Sequence, residues 1–531
     1  MLKSPPNRSS RWEKDGETTI LINDDDRREL PVPVPRMTAG QACLWVLTFL
    51  ILSSGLIGLV AQSSVTWRGI MQPLEEDQHL AFPEASPAGL VSSWKSTNET
   101  ITTPTESAQT PISTSTPTPS NTKEMPCIPG LYDDMLVVIK TGASVMYDRA
   151  LVHIHTTLRC IPHTLLISDA EMDIGNYHFV DVIQDLDPDT LAHEQLEYYR
   201  LQQSALQKNE DLGALAQRSK GKAWDLDKFK FIPMVKRAWQ ARTPQTKWFI
   251  FLEADSLVDW ANMKIMLDAK DSDKPWYLGA PSWINDNVFA HGGSGMVVSH
   301  AAMSQSVGKS TEDWMVQWGS AALNECCGDY LLSRAFKSFG INMTSAYPLL
   351  QGDNVALAPL MPDLWCRPVV TMHHVKPSHV ASYWALAEYS MQQVAEGRRN
   401  HSLLWRDIYT IFVEPSMQQY KLDWDNLSLD WEFTFAKHEN GSEEEKNAFA
   451  SPGGCEAMCR RENECKQWSH FGMTCKMSRA VRAGEPVKRE KGSNALFAQT
   501  NHISGWMLDR INTYTKQHAI CENGADFKFN D

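Results

Sequence analysis

Two acidic residues at the end of one apolar run carry the clearest chemical signal in this 531-residue chain. Residues 248–252 are typical of a buried strand, and Glu253 and Asp255 follow them closely. Side chains two residues apart on a strand point the same way, and open α/β sheets bind ligands at that end. Such carboxylates suit Mn²⁺ or Mg²⁺, whereas the simpler alternative is two solvated acids in a turn.

A glycine-rich segment lies downstream at residues 290–299, with the sequence AHGGSGMVVS. Gly292, Gly293 and Gly295 precede an apolar run, so the backbone can approach a ligand closely before a strand begins. Gly292 and Gly293 could therefore line a ligand pocket. A flexible turn is the alternative.

Asp329 stands at the start of a predicted helix over residues 329–339. An acid in that position can cap the helix and needs no other role. It could also act as the base that deprotonates an acceptor hydroxyl.

Two adjacent histidines, His373 and His374, end the apolar run at residues 369–372. On an extended strand they would point to opposite faces, so only one of them is expected to enter a given site. A histidine at a strand end can bind a divalent ion, although a single histidine more often has a structural role.

The elements that must position these residues alternate between strand and helix. Strands are predicted at 135–140, 163–168, 247–255 and 295–299, and helices at 143–157, 191–207, 225–241 and 329–339. This alternation predicts an α/β domain with a mostly parallel sheet at 127–414. A separate small unit is predicted at 427–511, followed by a tail at 512–531.

Residues 42–61 contain no charged side chain and are long enough for one transmembrane helix. Arg27, Arg28 and Arg36 precede this segment, and Arg68 follows it. The excess of basic residues on one side predicts that 1–41 is a cytosolic tail and that the remainder is luminal. Residues 62–126 are predicted to be an unpacked stem rich in Ser, Thr and Pro.

Ten of the eleven cysteines follow the apolar segment, which favours disulfides in an oxidising lumen over reduced thiols. Glycosylation sequons lie on the same side, at Asn98, Asn342, Asn400, Asn426 and Asn440. The formal net charge of −14 argues against a nucleic-acid partner, because phosphates require a basic surface.

Taken in order, these segments resemble the Fringe and core-1 β1,3-galactosyltransferase-like glycosyltransferases, and the fungal-type members most of all. The resemblance covers about residues 133–396. Its landmarks are 165–171 (LLISDAE), 253–255 (EAD), the glycine segment, 328–329, 365–366 and 372–375 (MHHV). It implies a GT-A fold that binds Mn²⁺ and a UDP-sugar and inverts the anomeric carbon.

The resemblance also implies roles for individual residues. Asp255 and His373 match the metal ligands of the family. Glu253, which replaces the usual first Asp of the metal triplet, would act on the metal through water or on the ribose. Asp329 matches the presumed base, and Asp169 would approach the uridine or its ribose.

The C-terminal unit resembles a PAN/apple domain through Cys455, Cys459, Cys465 and Cys475. Four cysteines allow three pairings, and a zinc site is the rival interpretation. The resemblance implies the bridges Cys459–Cys465 and Cys455–Cys475. Apple domains bind protein or carbohydrate, so this unit could present an acceptor or be a structural appendage.

The sequence thus predicts a single-pass type II membrane protein of the Golgi or endoplasmic reticulum. It would transfer galactose or N-acetylglucosamine from a UDP-sugar to a glycan or glycoprotein hydroxyl, forming a β1,3 linkage. The alternative is a catalytically decayed carbohydrate-binding or adhesion protein. A hydrolase is disfavoured because the motifs G-x-S-x-G and H-E-x-x-H are absent.

Overall fold

The computed structural model describes residues 10–12, 21–23, 127–219, 221–309, 313–487, 502–521 and 525–528. Across these ranges, no helix combines the length and the apolar character needed to cross a membrane. The predicted span at 42–61, the stem at 62–126 and the sequon at Asn98 lie outside them.

A mixed eight-stranded sheet forms the centre of the larger unit, after two short antiparallel strands, β1 (Ser10–Trp12) and β2 (Leu21–Asn23). Its strands are β3 (Met135–Lys140), β4 (Thr164–Ser168), β5 (Met172–Ile174), β6 (Tyr177–Asp181), β7 (Trp248–Glu253), β9 (Tyr277–Gly279), β12 (Met296–Ser299) and β13 (Met343–Ser345). Their order across the sheet is β13-β9-β12-β7-β3-β4-β6-β5, and β7, β3, β4 and β6 run parallel in succession. The predicted α/β class with a parallel-rich sheet is confirmed.

Both faces of this sheet are buried. Leu136 and Phe249 belong to a hydrophobic cluster on one face, whereas Val137 and Ile250 belong to a cluster on the other. Successive residues of a strand alternate between faces, so a sheet covered on both sides needs continuous apolar strands. This is why β3 and β7 were recognisable as apolar runs.

Helices cover the sheet and connect its strands. The α-helices span Met146–His155, Pro188–Ala192, Glu197–Gln207, Leu212–Arg218, Lys222–Asp225, Phe231–Ala241, Trp260–Asp268, His300–Gln305, Asp313–Ala321, Gly328–Ser338, Pro377–Ala395, Trp405–Ile408, Phe435–His438, Glu443–Ala450, Pro452–Arg461 and Leu508–Gln517. The predicted continuous helix at 191–207 is wrong, because His193 adopts an extended conformation. Its side chain accepts a hydrogen bond from the Gln195 N–H and starts a new helical turn.

The smaller unit contains a five-stranded antiparallel sheet. Its strands are β15 (Tyr420–Leu422), β17 (Trp431–Thr434), β18 (Gln467–Phe471), β19 (Thr474–Ser478) and β21 (Ile503–Trp506), in the order β15-β21-β18-β19-β17. The sheet thus begins before residue 427. The remaining strands form pairs: β8 (Leu257–Val258) with β14 (Thr371–Met372), β10 (Pro281–Ile284) with β11 (Asn287–Ala290), and β16 (Trp424–Asp425) with β20 (Glu485–Pro486).

The two units share a hydrophobic core. Val481 and Trp506 of the smaller unit lie in the same buried cluster as Val369 and Met372 of the larger one. The Leu360 N–H also donates to the Val481 carbonyl at 2.9 Å. The small unit is therefore joined to the segment that carries the two histidines, which differs from the separate unit predicted at 427–511.

Disulfides occur in both units. Those among the described residues are Cys127–Cys160, Cys366–Cys521, Cys455–Cys475 and Cys459–Cys465. The last two confirm the pairing that the apple resemblance implies. The Cys366–Cys521 bridge attaches the predicted tail at 512–531 to the larger unit.

The sequons differ in accessibility. Asn342, Asn400 and Asn440 are exposed. Asn426 is fully buried, and its amide Nδ2 donates to the carbonyls of Trp468 and Gly505 at 3.1 and 3.2 Å. A glycan on that nitrogen is incompatible with this fold, so the predicted glycosylation at Asn426 is wrong.

Candidate metal centre

The carboxyl ends of parallel strands place charged residues along one edge of the main sheet. Lys140 ends β3 and lies in register with Glu253, which ends β7. Asp169 follows β4 directly, and Asp255 comes two residues after β7. Because these strands are parallel, their carboxyl ends meet at the same edge, where α/β sheets bind ligands.

A short two-stranded ladder brings the histidine segment to this edge. Strands β8 and β14 pair antiparallel, with Met372 opposite Leu257. The Val375 N–H then donates to the Asp255 carbonyl at 2.8 Å. These backbone contacts hold His373 beside Asp255, although the two residues are far apart in the sequence.

Asp255, His373 and His374 form a cluster that could hold one metal ion. Nε2 of His373 lies 3.5 Å from Oδ1 of Asp255, and Nδ1 of His374 lies 3.7 Å from Oδ2. The prediction that only one histidine faces the site is wrong. The strand ends at Met372, and His374 has a left-handed backbone with φ 52°. This conformation stacks the two rings, with their centroids 3.8 Å apart.

The buried atoms of this cluster fit a divalent cation. Within the part of the chain that the structure describes, Oδ1 of Asp255 and both ring nitrogens of His373 are buried without a hydrogen-bond partner. Two ligand atoms on one ion, each about 2.1 Å from it, stand about 3.0–3.5 Å apart. The 3.5 Å separation of Nε2 and Oδ1 agrees with this spacing. Buried polar atoms are rarely left unpaired, so a cation is a suitable partner.

Opposite charges offset one another within the cluster. Burial disfavours the ionised form of Asp255, but His373, His374 and Arg149 outweigh it and hold the pKa of Asp255 well below its ordinary value. Burial also lowers the pKa of His373, yet Asp255 and Glu253 raise that pKa to about 9. Asp255 is therefore ionised, as a metal-binding carboxylate must be, whereas His373 is protonated near neutral pH and must lose that proton to bind an ion.

Glu253 is held mainly by a lysine. Its Oε1 lies 3.2 Å from Nζ of the buried Lys140, which also contacts both carboxylate oxygens of Asp227. Its Oε2 lies 3.8 Å from Nε2 of His373. Burial raises the pKa of Glu253, but Lys140 and His373 outweigh it and leave that pKa well below its ordinary value. Glu253 thus faces His373 from beside the three-residue cluster.

The glycine segment packs directly against His373. A Cβ atom on Gly293 would lie 2.1 Å from Cε1 and 2.3 Å from Nε2 of the imidazole. The Ser256 hydroxyl donates to the Gly293 carbonyl at 2.7 Å, and the Thr371 hydroxyl donates to the Ser294 carbonyl at the same distance. The close approach predicted for a ligand is thus made at Gly293 by a histidine ring.

Asp329 contacts the same segment from the first turn of the helix Gly328–Ser338. Its Oδ2 accepts a hydrogen bond from the Gly292 N–H at 2.9 Å, and Oδ1 accepts one from the Tyr330 N–H. Cys327 is the N-cap, so Asp329 does not cap this helix. Burial raises the pKa of Asp329 to about 6 against the opposing effect of the two N–H donors. A carboxylate with a pKa near neutrality suits a general base.

The ring of Phe231 leaves no room for a side chain at Gly328, the residue that precedes Asp329. A Cβ atom on Gly328 would lie 2.2 Å from the Phe231 ring, and one on Gly292 would lie 3.0 Å from it. Nζ of Lys140 lies 4.4 Å from the centroid of the same ring. The buried ring thus packs Lys140, the glycine segment and the start of the Asp329 helix together.

Both carboxylate oxygens of Asp169 contact other residues inside the protein. Its Oδ1 accepts hydrogen bonds from the Ala143 N–H and from Nε2 of Gln202, and its Oδ2 lies 3.1 Å from Nζ of Lys230. Asp169 and Lys230 are both buried. The carboxylate predicted to meet the uridine or its ribose therefore has internal partners on both oxygens.

Three further side chains lie at the site without having been singled out from the sequence. Lys140 could have been found, because it ends a buried apolar run as Glu253 does. His291 lies edge-on to His373 with ring centroids 5.3 Å apart, and burial together with the charge of His373 lowers its pKa to about 3. Nothing in the sequence around Arg149 indicates a place in the site, yet its Nη1 lies 2.9 Å from an oxygen of the Asp255 carboxylate.

No family model matches the chain, and no curated protein has a matching sequence.

Proposed function

We propose that this protein is a metal-dependent glycosyltransferase that moves a hexose from a UDP-sugar to a hydroxyl of a glycan or glycoprotein. The observation that carries the proposal is the approach of Oδ1 of Asp255 to Nε2 of His373 at 3.5 Å, both buried and without a hydrogen bond, at the carboxyl edge of a parallel-rich sheet. Galactose and N-acetylglucosamine are the proposed donor sugars, transferred with inversion to form a β1,3 linkage.

The architecture supports a GT-A assignment. Such a fold needs a nucleotide-binding α/β sandwich with an acidic metal site after a central strand. Here β7 lies between β3 and β12, is buried on both faces, and leads directly into Glu253 and Asp255. The PAN/apple proposal for the smaller unit is supported by its five-stranded sheet and its two bridges.

Asp255 and His373 would hold the ion, Mn²⁺ or Mg²⁺, with His374 close enough to contribute. When bound, the ion supplies positive charge that offsets the diphosphate of the donor and of the departing UDP. Oε2 of Glu253 lies 3.8 Å from the same ring nitrogen of His373, and Gly293 leaves room for the imidazole. These contacts restrict the ligand ring before any ion arrives.

Asp329 is the proposed base. In the transfer step, the acceptor oxygen forms a bond to the anomeric carbon, and the bond from that carbon to the phosphate oxygen breaks. The electron pair stays with UDP, and the acceptor proton passes to Asp329. The raised pKa of Asp329 allows it to hold that proton near neutral pH.

We also propose a type II orientation in the Golgi or endoplasmic reticulum, with the larger and smaller units in the lumen. Disulfides persist in oxidising compartments, and the described part of the chain contains Cys127–Cys160 and Cys366–Cys521 in addition to the apple-like pair. The exposed sequons at Asn342, Asn400 and Asn440 are accessible to luminal glycosylation.

The test is a donor panel assayed with the purified full-length protein in detergent. UDP release from UDP-galactose or UDP-N-acetylglucosamine should require Mn²⁺ or Mg²⁺ and should stop when the metal is chelated. The Asp255→Asn variant should lose this release. The absence of UDP release from every donor, together with the absence of metal-dependent UDP binding, would refute the proposal.

A glycan-binding or adhesion protein with a decayed transferase site is the second candidate. Two observations favour it: Arg149 occupies one side of the Asp255 carboxylate, and Asp169 has internal partners on both oxygens. Binding of the full-length protein to immobilised glycans without metal-dependent UDP binding would support this candidate over the transferase.

A further inference from the structure

Arg149 presents a half-exposed positive charge at the metal cluster. Its Nη1 lies 2.9 Å from Oδ2 of Asp255, and 45% of its side chain is exposed. It belongs to the helix Met146–His155, which follows the carboxyl end of β3. The guanidinium is therefore accessible from solvent at the sheet edge where ligands bind.

The contact between Arg149 and Asp255 is one that a metal ion would disturb. Oδ1 of Asp255 faces His373, and Oδ2 is near both His374 and Arg149. A divalent cation on this carboxylate would neutralise its charge and repel the guanidinium. Because the cation would replace the guanidinium as the partner of this buried carboxylate, Arg149 can turn away without leaving Asp255 unpaired.

Lys140 and Lys230, two further basic residues along this edge, are not accessible in the same way. Lys140 is buried and held by Asp227 and Glu253. Lys230 is buried and held by Asp169 and Asp227. Moving either ammonium would leave carboxylates without a partner in a buried network, which costs far more than moving an exposed arginine.

We infer that Arg149 binds the diphosphate of the donor nucleotide once a metal ion is held by Asp255 and His373. This inference rests on the proposed function, since the diphosphate is that of the UDP-sugar. A guanidinium offers forked donors that match two phosphate oxygens and stays charged at physiological pH. Asp255 therefore keeps Arg149 beside the ion site until a metal ion binds, and the ion then releases the guanidinium for the diphosphate.

During transfer, Arg149 acts on the leaving group. When the bond between the anomeric carbon and the phosphate oxygen breaks, negative charge grows on the diphosphate. A guanidinium already in contact with those oxygens offsets this charge without further reorganisation. The acceptor proton goes to Asp329, so the two residues serve opposite ends of the reaction.

The experiment uses full-length protein with Arg149→Gln, Arg149→Lys and, as a charge-matched control, Lys516→Gln. Lys516 is exposed on the helix Leu508–Gln517. Calorimetry measures Mn²⁺ binding alone and then UDP binding at saturating Mn²⁺. In Arg149→Gln, Mn²⁺ affinity should equal or exceed that of the wild type, because a competing cation is gone. Its UDP affinity should fall roughly ten-fold or more, as expected for a lost charge-assisted contact.

The two other variants complete the test. Arg149→Lys should bind UDP with intermediate affinity, since an ammonium keeps the charge but not the fork. Lys516→Gln should match the wild type in both titrations. If Arg149→Gln binds UDP like the wild type, or loses Mn²⁺ affinity in parallel with UDP affinity, the inference is overturned. A wild type that binds Mn²⁺ but no UDP would instead refute the proposed function, and the inference with it.

Discussion

Gly293 and His373 lie so close together that no larger residue fits at position 293. A Cβ atom there would stand 2.1–2.5 Å from Cε1, Nε2 and Nδ1 of the imidazole. The glycine thus leaves the space that His373 occupies beside Asp255, and this relationship leads to the first prediction.

Gly293→Ala should displace His373 and abolish Mn²⁺ binding measured by calorimetry. The overlap should also lower the free energy of unfolding by about 1–3 kcal/mol, as overpacking does. Gly453→Ala is the matched control, because a Cβ atom there meets nothing within 4 Å. Unchanged Mn²⁺ affinity in Gly293→Ala would show that the position of His373 does not matter for the metal.

The two histidines should differ in their effect on metal affinity. His373→Ala removes a buried ligand. Loss of a residue that only supports a metal ligand lowers affinity by up to roughly 100-fold, so loss of the ligand itself should lower Mn²⁺ affinity by more than that. His374 is half-exposed and more distant from Asp255, so His374→Ala should cost about ten-fold or less. Equal losses, measured by Mn²⁺ titration, would make His374 an equal ligand.

Asp329→Asn should stop transfer while leaving Mn²⁺ and UDP binding intact. In the wild type, transfer by kcat/KM should fall on the acidic side with an apparent pKa of about 6, because the base must be ionised. An active Asp329→Asn variant, or a wild-type profile that is flat between pH 5 and pH 7, would contradict the assignment.

The Asp329 carboxylate should also make the stability of the folded protein depend on pH. Its folded-state pKa is raised above the unfolded value, so the folded protein loses stability as pH rises through about 6, and the cost is fully present above that pH. Asp329→Asn removes the buried charge, although its amide Nδ2 cannot accept one of the two N–H hydrogen bonds, so its melting temperature relative to the wild type should be higher at pH 8 than at pH 4. Thermal unfolding at several pH values measures this, and an equal difference at every pH would contradict it.

The fragment 127–414 should not fold without the smaller unit. Its residues Val369 and Met372 pack in one cluster with Val481 and Trp506, which the fragment lacks. The exposed apolar surface should cause aggregation in size-exclusion chromatography, whereas 127–531 should elute as a compact species. A monodisperse 127–414 fragment that binds Mn²⁺ would show that the two units are independent.

Glycosylation should follow accessibility rather than the sequon alone. In secreted 127–531, mass spectrometry of glycopeptides should find glycans at Asn342, Asn400 and Asn440 but not at Asn426. The Asn426 amide is buried and donates two hydrogen bonds, so a glycan attached before folding would prevent the fold from closing. Occupancy of Asn426 in folded protein would contradict the structure around it.

Much of the central sheet was predictable from local patterns. Strands β3, β4, β7 and β12 lie where apolar runs predicted them, within one or two residues. A strand buried on both faces must be apolar at every position, so the physical cause of the pattern is contained in a few consecutive residues. The positions of Glu253 and Asp255 after β7 follow from the same pattern.

The composition of the site depended on contacts between distant parts of the chain. His374 turns toward Asp255 because its own backbone is left-handed. Arg149 reaches the same carboxylate although it lies 106 residues earlier in the sequence. Nothing near either residue in the sequence signals these contacts.

The sequence by itself thus determined the α/β class and the strand that carries the acids, whereas the cysteine pairs of the small unit were implied only by the resemblance to apple domains. Only the tertiary structure decided which side chains surround Asp255, why residue 293 must be glycine, and that both units share a core. The physical reason is that burial periodicity is a local property. Coordination and packing, by contrast, arise where β7, the histidine segment and the small unit meet.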